Sequence, residues 1–342
     1  MDFAPVASME NFVKSAGSLA PLVFLAVFCA ASVLMIVSLG WLSKRGFEGT
    51  ALGSLITPWC TGASNLVFVL VMGMKGGDGR VVLENCLVNN ATNLTLLTGL
   101  PALLFGLEIL PSSQGDKGAV KAKAAGLLQT QRITRLSLLM TLLAALFFTG
   151  ALWALAGDGK LVFSDGLVLT GIFLFWQAIH VMDVLKKNIT EKRRMSWWLA
   201  CDLLFIAAGT YGLYWSVDRL VDWVNQLGSG FWGRGGLGWL SGWLMVLPNA
   251  MMALWYARTG RPDIAYSSQI GDGHICIPLC VGLFALFKDY RVPAAFETAI
   301  LLIAGAAVVH FLSVLLLGKL PRLLGAAFIV SYGWFLWRGL AG

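Results

Sequence analysis

The sequence predicts an all-α, polytopic membrane protein of about ten transmembrane helices arranged as two inverted five-helix repeats. Three observations predict it. The 342 residues are 58% hydrophobic, with a mean hydropathy of +0.76. Only 13% are charged, about half of the roughly 25% with which a soluble domain covers its surface. The apolar residues fall in runs near the ~20 residues a bilayer core demands, not in the short alternating segments of a transmembrane barrel.

The runs follow in order. Span one covers 19–42 and is apolar throughout. Span two, 49–74, carries Pro58, Gly62 and Asn65 after the basic pair Lys44–Arg45. Span three, 82–108, follows the glycine-rich turn "KGGDGR" and is the most polar, with Glu84, Asn85, Asn89, Asn90 and Asn93. A basic loop, 111–132, leads to span four, 133–156. Span five, 164–186, ends near His180 and Asp183 and meets the basic stretch "KKNITEKRR" (186–194). Span six, 195–217, opens on Trp197 and Trp198, which suit an interfacial anchor. The connector "GSGFWGRGG" (228–236) leads to span seven, 236–258, with Pro248 and Asn249. Span eight, 266–287, holds Ser268, Asp272, His274 and Cys276; span nine, 294–317, begins near Glu297 and carries His310; span ten, 320–340, carries Trp334 and Trp337 near its end. The organisation divides into 1–132, containing a first hairpin (49–108) and the basic loop; 133–194, the rest of the first repeat and the connector; and 195–342, the second repeat with its hairpin at 236–288.

Loops between ten spans alternate between two sides of the membrane. One side receives 16 of the 25 lysines and arginines, so the positive-inside rule puts both termini on the non-cytoplasmic side. The net charge of +7 thus reads as topology, and no nucleic-acid partner is expected. The partners are the lipid bilayer and small inorganic cations, and the setting is a bacterial inner membrane. The oligomeric state is not legible. Six cysteines, with no CxxC pair and no Cys/His spacing, suggest neither zinc nor disulfides. There is no Walker A, HExxH or GxSxG motif, which leaves ATP-driven pumping and hydrolysis unsupported. No enzyme activity and no cofactor are expected.

A repeat joins spans two and three to spans seven and eight. Trp59 precedes Asn65 by six residues, and Trp243 precedes Asn249 by six. Asn65 to Asn89 is 24 residues and Asn249 to Asp272 is 23; Asn89 to Gly99 and Asp272 to Gly282 are both ten. Five spans separate the copies, so the second enters the membrane in the opposite direction, as in many secondary transporters.

The two hairpins resemble the paired repeats of the cation/Ca²⁺ antiporter superfamily, the sodium/calcium exchanger membrane region, over about 45–109 and 236–288. The family pattern runs GTSxPE, a glycine turn, then D-x-A-x-G-N-x-x-G-S-N-x-x-N. Pro248, Gly260, Asp263, Ala265 and Gly271 match it in the second copy, and Asn85, Asn90 and Asn93 in the first. The resemblance implies a cation antiporter. It also implies a departure, because the two family glutamates that bind the ion are replaced by Asn65 and Asn249. Asn89 and Asp272 replace serines, and Cys276 stands where the family has asparagine or aspartate.

Asn89 and Asn93 are four residues apart and share a helix face, which Asn85 extends; Ser268, Asp272 and Cys276 form the equivalent stripe. Pro58, Gly62 and Pro248 should interrupt spans two and seven and free backbone carbonyls. The expected ion-binding set is Asn65, Asn249, Asn89, Asn93, Asp272, Ser268, Asn85, Cys276 and Glu84. Asn65, Asn249, Asn89 and Asp272 are its central metal ligands. Such oxygens suit hard cations. At an effective dielectric of about 20, each lost carboxylate removes roughly 4 kcal/mol of attraction for a single positive charge at 4 Å, before desolvation. A monovalent cation, or a proton competing for Asp272, fits better than Ca²⁺, which prefers several carboxylates; Na⁺, Ca²⁺ and H⁺ all stay open as cargo. Two other functions remain open: a transporter of a neutral or weakly charged solute, and a non-transporting membrane scaffold or sensor. His274, His180, Asp183 and His310 are expected to be structural.

Overall fold

The computed structural model describes residues 19–42, 59, 62–110, 121–190, 197–228, 230–232, 234–260 and 262–341. Among them the chain forms ten helical crossings. They are α1 (Ala20–Leu42), α2 (Ala63–Met74), α3 (Gly79–Ala91) running through a π turn (Thr92–Leu96) into α4 (Leu97–Phe105), α5 (Lys121–Leu155) and α6 (Phe163–Thr190). The second half holds α7 (Trp198–Gln226), α8 (Leu237–Arg258), α9 (Pro262–His274) running through a π turn (Ile275–Cys280) into α10 (Val281–Phe287), α11 (Phe296–Leu312) and α12 (Arg322–Ala341). Six of these crossings are long and apolar enough by themselves to span a bilayer. The α3–α4 crossing is not among them, because its asparagines lower its hydropathy.

Two expectations need correction. Residues 121–132 are not loop: α5 begins at Lys121, since "KAKAAGLLQTQR" is built almost wholly of strong helix formers. Span seven is not broken either, because α8 runs continuously through Pro248. One missing hydrogen bond is tolerated where neighbouring helices support the backbone. Pro58 lies outside the described residues. Gly62 caps α2, and a Cβ there would stand 2.6 Å from Ile275 Cβ, so its role is close packing.

The real interruptions are the two π turns in spans three and eight, at matched places in the repeat. In the first, Thr92 donates to Val88 O (2.6 Å) and Thr95 to Ala91 O; such back-bonding bends helices. His310 Nε2 reaches Leu94 O at 2.8 Å, and Tyr266 OH lies 2.9 Å from His310 Nδ1. A structural histidine thus ties the loosened turn to α11 and α9. In the second turn, Ile277 leaves helical geometry (φ −123°, ψ 113°) just before Pro278. His274 is structural too, with Nε2 3.0 Å from Thr141 O. The side chains of His180 and Asp183 lie outside those described.

Each interrupted span packs against the last span of the opposite repeat. Gly99 on α4 meets Gly325 on α12, and a Cβ on Gly99 would stand 2.8 Å from Gly325 O. Gly282 on α10 faces α6, where a Cβ on Gly166 would stand 2.8 Å from Gly282 O. Glycines at these points let backbones approach as Ala could not. The same exchange recurs at the ends: Leu107 bridges Leu320, while β1 (Lys160–Leu161) pairs antiparallel with β2 (Tyr290–Arg291). The tryptophans of the repeat follow suit. Trp59 packs edge-on against Phe173 of α6 (5.6 Å), and Trp243 Nε1 donates to Tyr332 OH of α12 (3.0 Å). α1 lies along α7, with Met35 against Gly209.

Candidate functional site

The site forms where α3 crosses α9. Asp78 starts α3 by accepting a hydrogen bond from Arg80 N (2.9 Å), which satisfies one of the free N–H groups of the first turn. The site face carries Asn89 and Asn93. Asn65 from α2 and Asp272 from α9 meet it. Asn89 Nδ2 donates to Asn65 Oδ1 at 3.3 Å. Asn93 Nδ2 donates both to Asn89 Oδ1 (2.8 Å) and to Asp272 Oδ2 (2.7 Å). Cys276 Sγ donates to Asn89 Oδ1 at 3.4 Å. Asn65, Asn89, Asn93, Asp272 and Cys276 are all fully buried and form one continuous polar chain joining the two hairpins.

Asn249 belongs to a second group, tied to α9 through Gln269, three residues before Asp272. Its backbone carbonyl accepts from Gln269 Nε2 (3.3 Å), which also donates to Ser268 Oγ (3.0 Å). The Asn249 side chain is fully buried and makes no hydrogen bond. Four further amide oxygens, Asn85 Oδ1, Asn90 Oδ1, Asn93 Oδ1 and Gln269 Oε1, are buried without a donor. A buried amide left unbonded costs about 1–3 kcal/mol, so such oxygens suit a ligand that accepts their lone pairs.

The two remaining expected residues face elsewhere. Asn85 Nδ2 donates to Ser241 Oγ of α8 (3.0 Å). Glu84 lies against α8, filling the space over Gly238, where a Cβ would stand 2.2 Å from Glu84 Oε2. Two buried residues escaped the site set drawn from the sequence. Gln269 precedes Asp272 by three residues, so it was reachable by helical spacing. Asn90, whose Nδ2 donates to Gly273 O (3.2 Å), holds the crossing itself.

Among the described residues no set of three His, Cys, Asp or Glu side chains converges as a metal cluster. A cation here would meet chiefly amide and backbone oxygens around one carboxylate, Asp272.

A buried polar junction between two interrupted helices, drawn from oppositely oriented halves of a helical bundle, defines an inverted-repeat membrane transporter. The chain belongs to the sodium/calcium exchanger protein family, whose pattern it matches over residues 16–182 and 202–340; it is a transporter and not an enzyme. Among solved structures, the sodium-calcium exchanger NCX_Mj soaked with zero Na⁺ and Ca²⁺ is 15% identical, with a TM-score of 0.62 over 91% of this chain and 94% of that chain. The same exchanger soaked with 2.5 mM Na⁺ and 10 mM Sr²⁺ is 16% identical, with a TM-score of 0.63 and the same coverage. At that identity the likeness speaks for the fold. No curated protein matches the sequence.

Proposed function

We propose that the protein is a secondary active cation antiporter with altered ion selectivity, working by alternating access around a site at mid-membrane. Asn65, Asn249, Asn89 and Asp272 are its central ligands, with Asn93, Ser268 and Cys276 beside them. Both termini lie on the non-cytoplasmic side of a cell membrane. The observation that carries the reading is the buried chain Asn65–Asn89–Asn93–Asp272, flanked by amide oxygens of Asn93, Asn249 and Gln269 that no protein donor satisfies.

In this arrangement the Asn93 amide stands where a cation would. Its two N–H bonds fill the space between Asn89 Oδ1 and Asp272 Oδ2. Rotating the amide would release both oxygens and bring Asn93 Oδ1 in as a third. One buried carboxylate balances one positive charge, so a small monovalent ion or a proton is the favoured cargo among hard cations.

The test is a melting-temperature screen of the purified protein in detergent against Na⁺, K⁺, Li⁺, Ca²⁺, Mg²⁺ and Mn²⁺ at pH 6 and pH 8, followed by exchange in proteoliposomes. A ligand at 100 times its Kd stabilises the folded state by about 2.7 kcal/mol. At least one cation should raise the melting temperature, and Asp272→Asn should abolish both that rise and gradient-driven exchange. Solute uptake indifferent to every cation gradient, or full exchange in Asp272→Asn, would overturn the reading.

A further inference from the structure

Gln269 stands on α9 three residues before Asp272. Side chains at that spacing are neighbours on one helix face, with about 5–6 Å between their Cβ atoms. The Gln269 amide is locked. Its Nε2 donates to Asn249 O (3.3 Å) and to Ser268 Oγ (3.0 Å). Asn249 O is a carbonyl and can only accept. Ser268 already gives its hydroxyl proton to Ala265 O (3.2 Å), so its oxygen accepts as well. A flipped amide would set Oε1 against both acceptors. Oε1 is therefore committed to the opposite direction, where no donor among the described residues reaches it, although Gln269 is fully buried.

Asn93 is held in the same way. Its Nδ2 serves Asn89 Oδ1 and Asp272 Oδ2, and its Oδ1 is left without a donor. Asn85 and Asn90 also bury an unpaired amide oxygen, but Nδ2 of each serves one acceptor, Ser241 Oγ and Gly273 O. The Asn249 side chain is held by nothing. Gln269 is thus the amide of α9 that presents a pre-oriented oxygen on the face of Asp272. A purely structural amide would pair that oxygen, because burying it unpaired costs about 1–3 kcal/mol.

We propose that Gln269 is a further ligand of the transported cation and the residue that sets the preference of the site for singly over doubly charged ions. The proposal rests on the cation-antiporter reading above and adds the group that decides charge selectivity.

The reason is that Gln269 Oε1 adds coordination without adding charge. A carbonyl dipole can replace a water of the hydration shell, while the net negative charge stays that of Asp272. One negative charge balances a monovalent ion. A divalent ion would keep an uncompensated charge in a buried site, and Ca²⁺ draws on several carboxylates to prevent this. The cost of orienting Gln269 is met when the protein folds, so its oxygen is presented before any ion arrives. Asn249, unrestrained, has to be ordered by the ion itself.

The test uses the purified full chain in detergent and in proteoliposomes, with NaCl, KCl, LiCl and CaCl₂ as probes at constant ionic strength. Gln269→Met keeps the length of the side chain and removes the oxygen. It should raise the half-saturating concentration of the monovalent ion that the wild type binds best by about tenfold or more, with the maximal exchange rate within about threefold. Gln269→Glu keeps an oxygen there and adds a charge. It should move the monovalent-to-Ca²⁺ preference toward Ca²⁺ by about tenfold or more. Asn90→Ala, which breaks a helix–helix contact, should lower the melting temperature and leave both half-saturating concentrations unchanged. If Gln269→Met fails to fold, Gln269→Glu decides alone. Unchanged half-saturation in folded Gln269→Met, or an unchanged preference in Gln269→Glu, would overturn the role of Gln269 and leave the antiporter standing. A wild type that binds Ca²⁺ at lower concentration than every monovalent ion would overturn it too. A wild type that responds to no cation in either assay would sink both readings.

Discussion

Asn90 donates a hydrogen bond to the carbonyl of Gly273 at 3.2 Å, and the two residues hold the same position in the two repeats. Asn89 corresponds to Asp272, so Asn90 corresponds to Gly273, one residue further on. A residue that touches its own counterpart lies on the axis relating the halves. The polar chain therefore sits at the centre of the inverted pair, where two equivalent turns of helix cross.

That contact is expected to be structural glue. Asn90→Ala should lower stability by about 0.6–2 kcal/mol, the range for interhelical side-chain hydrogen bonds in membranes. The melting temperature in detergent checks it. A change in which cation stabilises the protein, with no fall in melting temperature, would contradict this assignment.

Restoring the missing charges should restore a hard divalent site. Asn65→Glu combined with Asn249→Glu is expected to strengthen Ca²⁺ binding by on the order of tenfold or more, each carboxylate adding Coulomb attraction and costing desolvation when no ion is bound. The variant should be less stable than the wild type without metal and regain stability in Ca²⁺. Calorimetric titration and melting curves with and without Ca²⁺ measure both halves of that statement.

The glycine contacts between repeats should be intolerant of a single methyl. Gly99→Ala and Gly166→Ala would each press a Cβ to 2.8 Å from a facing carbonyl oxygen, and overpacking of that kind costs about 1–3 kcal/mol. Gly150→Ala on α5 and Gly305→Ala on α11 meet nothing within 4 Å and should be neutral or stabilising by up to ~1 kcal/mol through helix propensity. Comparing the four melting temperatures tests the packing argument against propensity alone.

Lys75, at the end of α2, bonds to Asp218 Oδ1 (2.7 Å) and Asp222 Oδ1 (2.6 Å) of α7. Burial alone would lower its pKa, but its hydrogen bonds and charge pairing with the two aspartates outweigh that and hold it above the usual 10.5. Its stabilising contribution is therefore complete below pH 10.5 and fades as pH climbs through the higher folded value. The Lys75→Met variant should melt slightly lower, by no more than ~1 kcal/mol for so exposed a pair. The gap from wild type should shrink in high salt and vanish at strongly alkaline pH.

Much of the arrangement was legible in the residues because hydropathy and helical spacing are local. The apolar runs marked the crossings, and the four-residue step from Asn89 to Asn93 put both on one face. The break in span seven was misassigned to Pro248 because proline is the obvious local signal. The π turn at Thr92–Leu96 has no proline at all. It depends on threonine hydroxyls turning back on the helix and on His310 arriving from α11, contacts that exist only in the packed bundle. Lys121–Arg132 misled in the other direction, since charge was read as loop although the same residues favour helix.

The exchange of partners between halves has a consequence for biosynthesis. Span five leaves the ribosome carrying Gly166, yet its packing partner Gly282 is not translated until most of the polypeptide exists, and Leu107 must likewise wait for Leu320. The amino-terminal five crossings therefore enter the bilayer as an unfinished assembly with glycine-lined surfaces bare to lipid. A separately expressed half should be prone to degradation, while coexpression of both halves should rescue it.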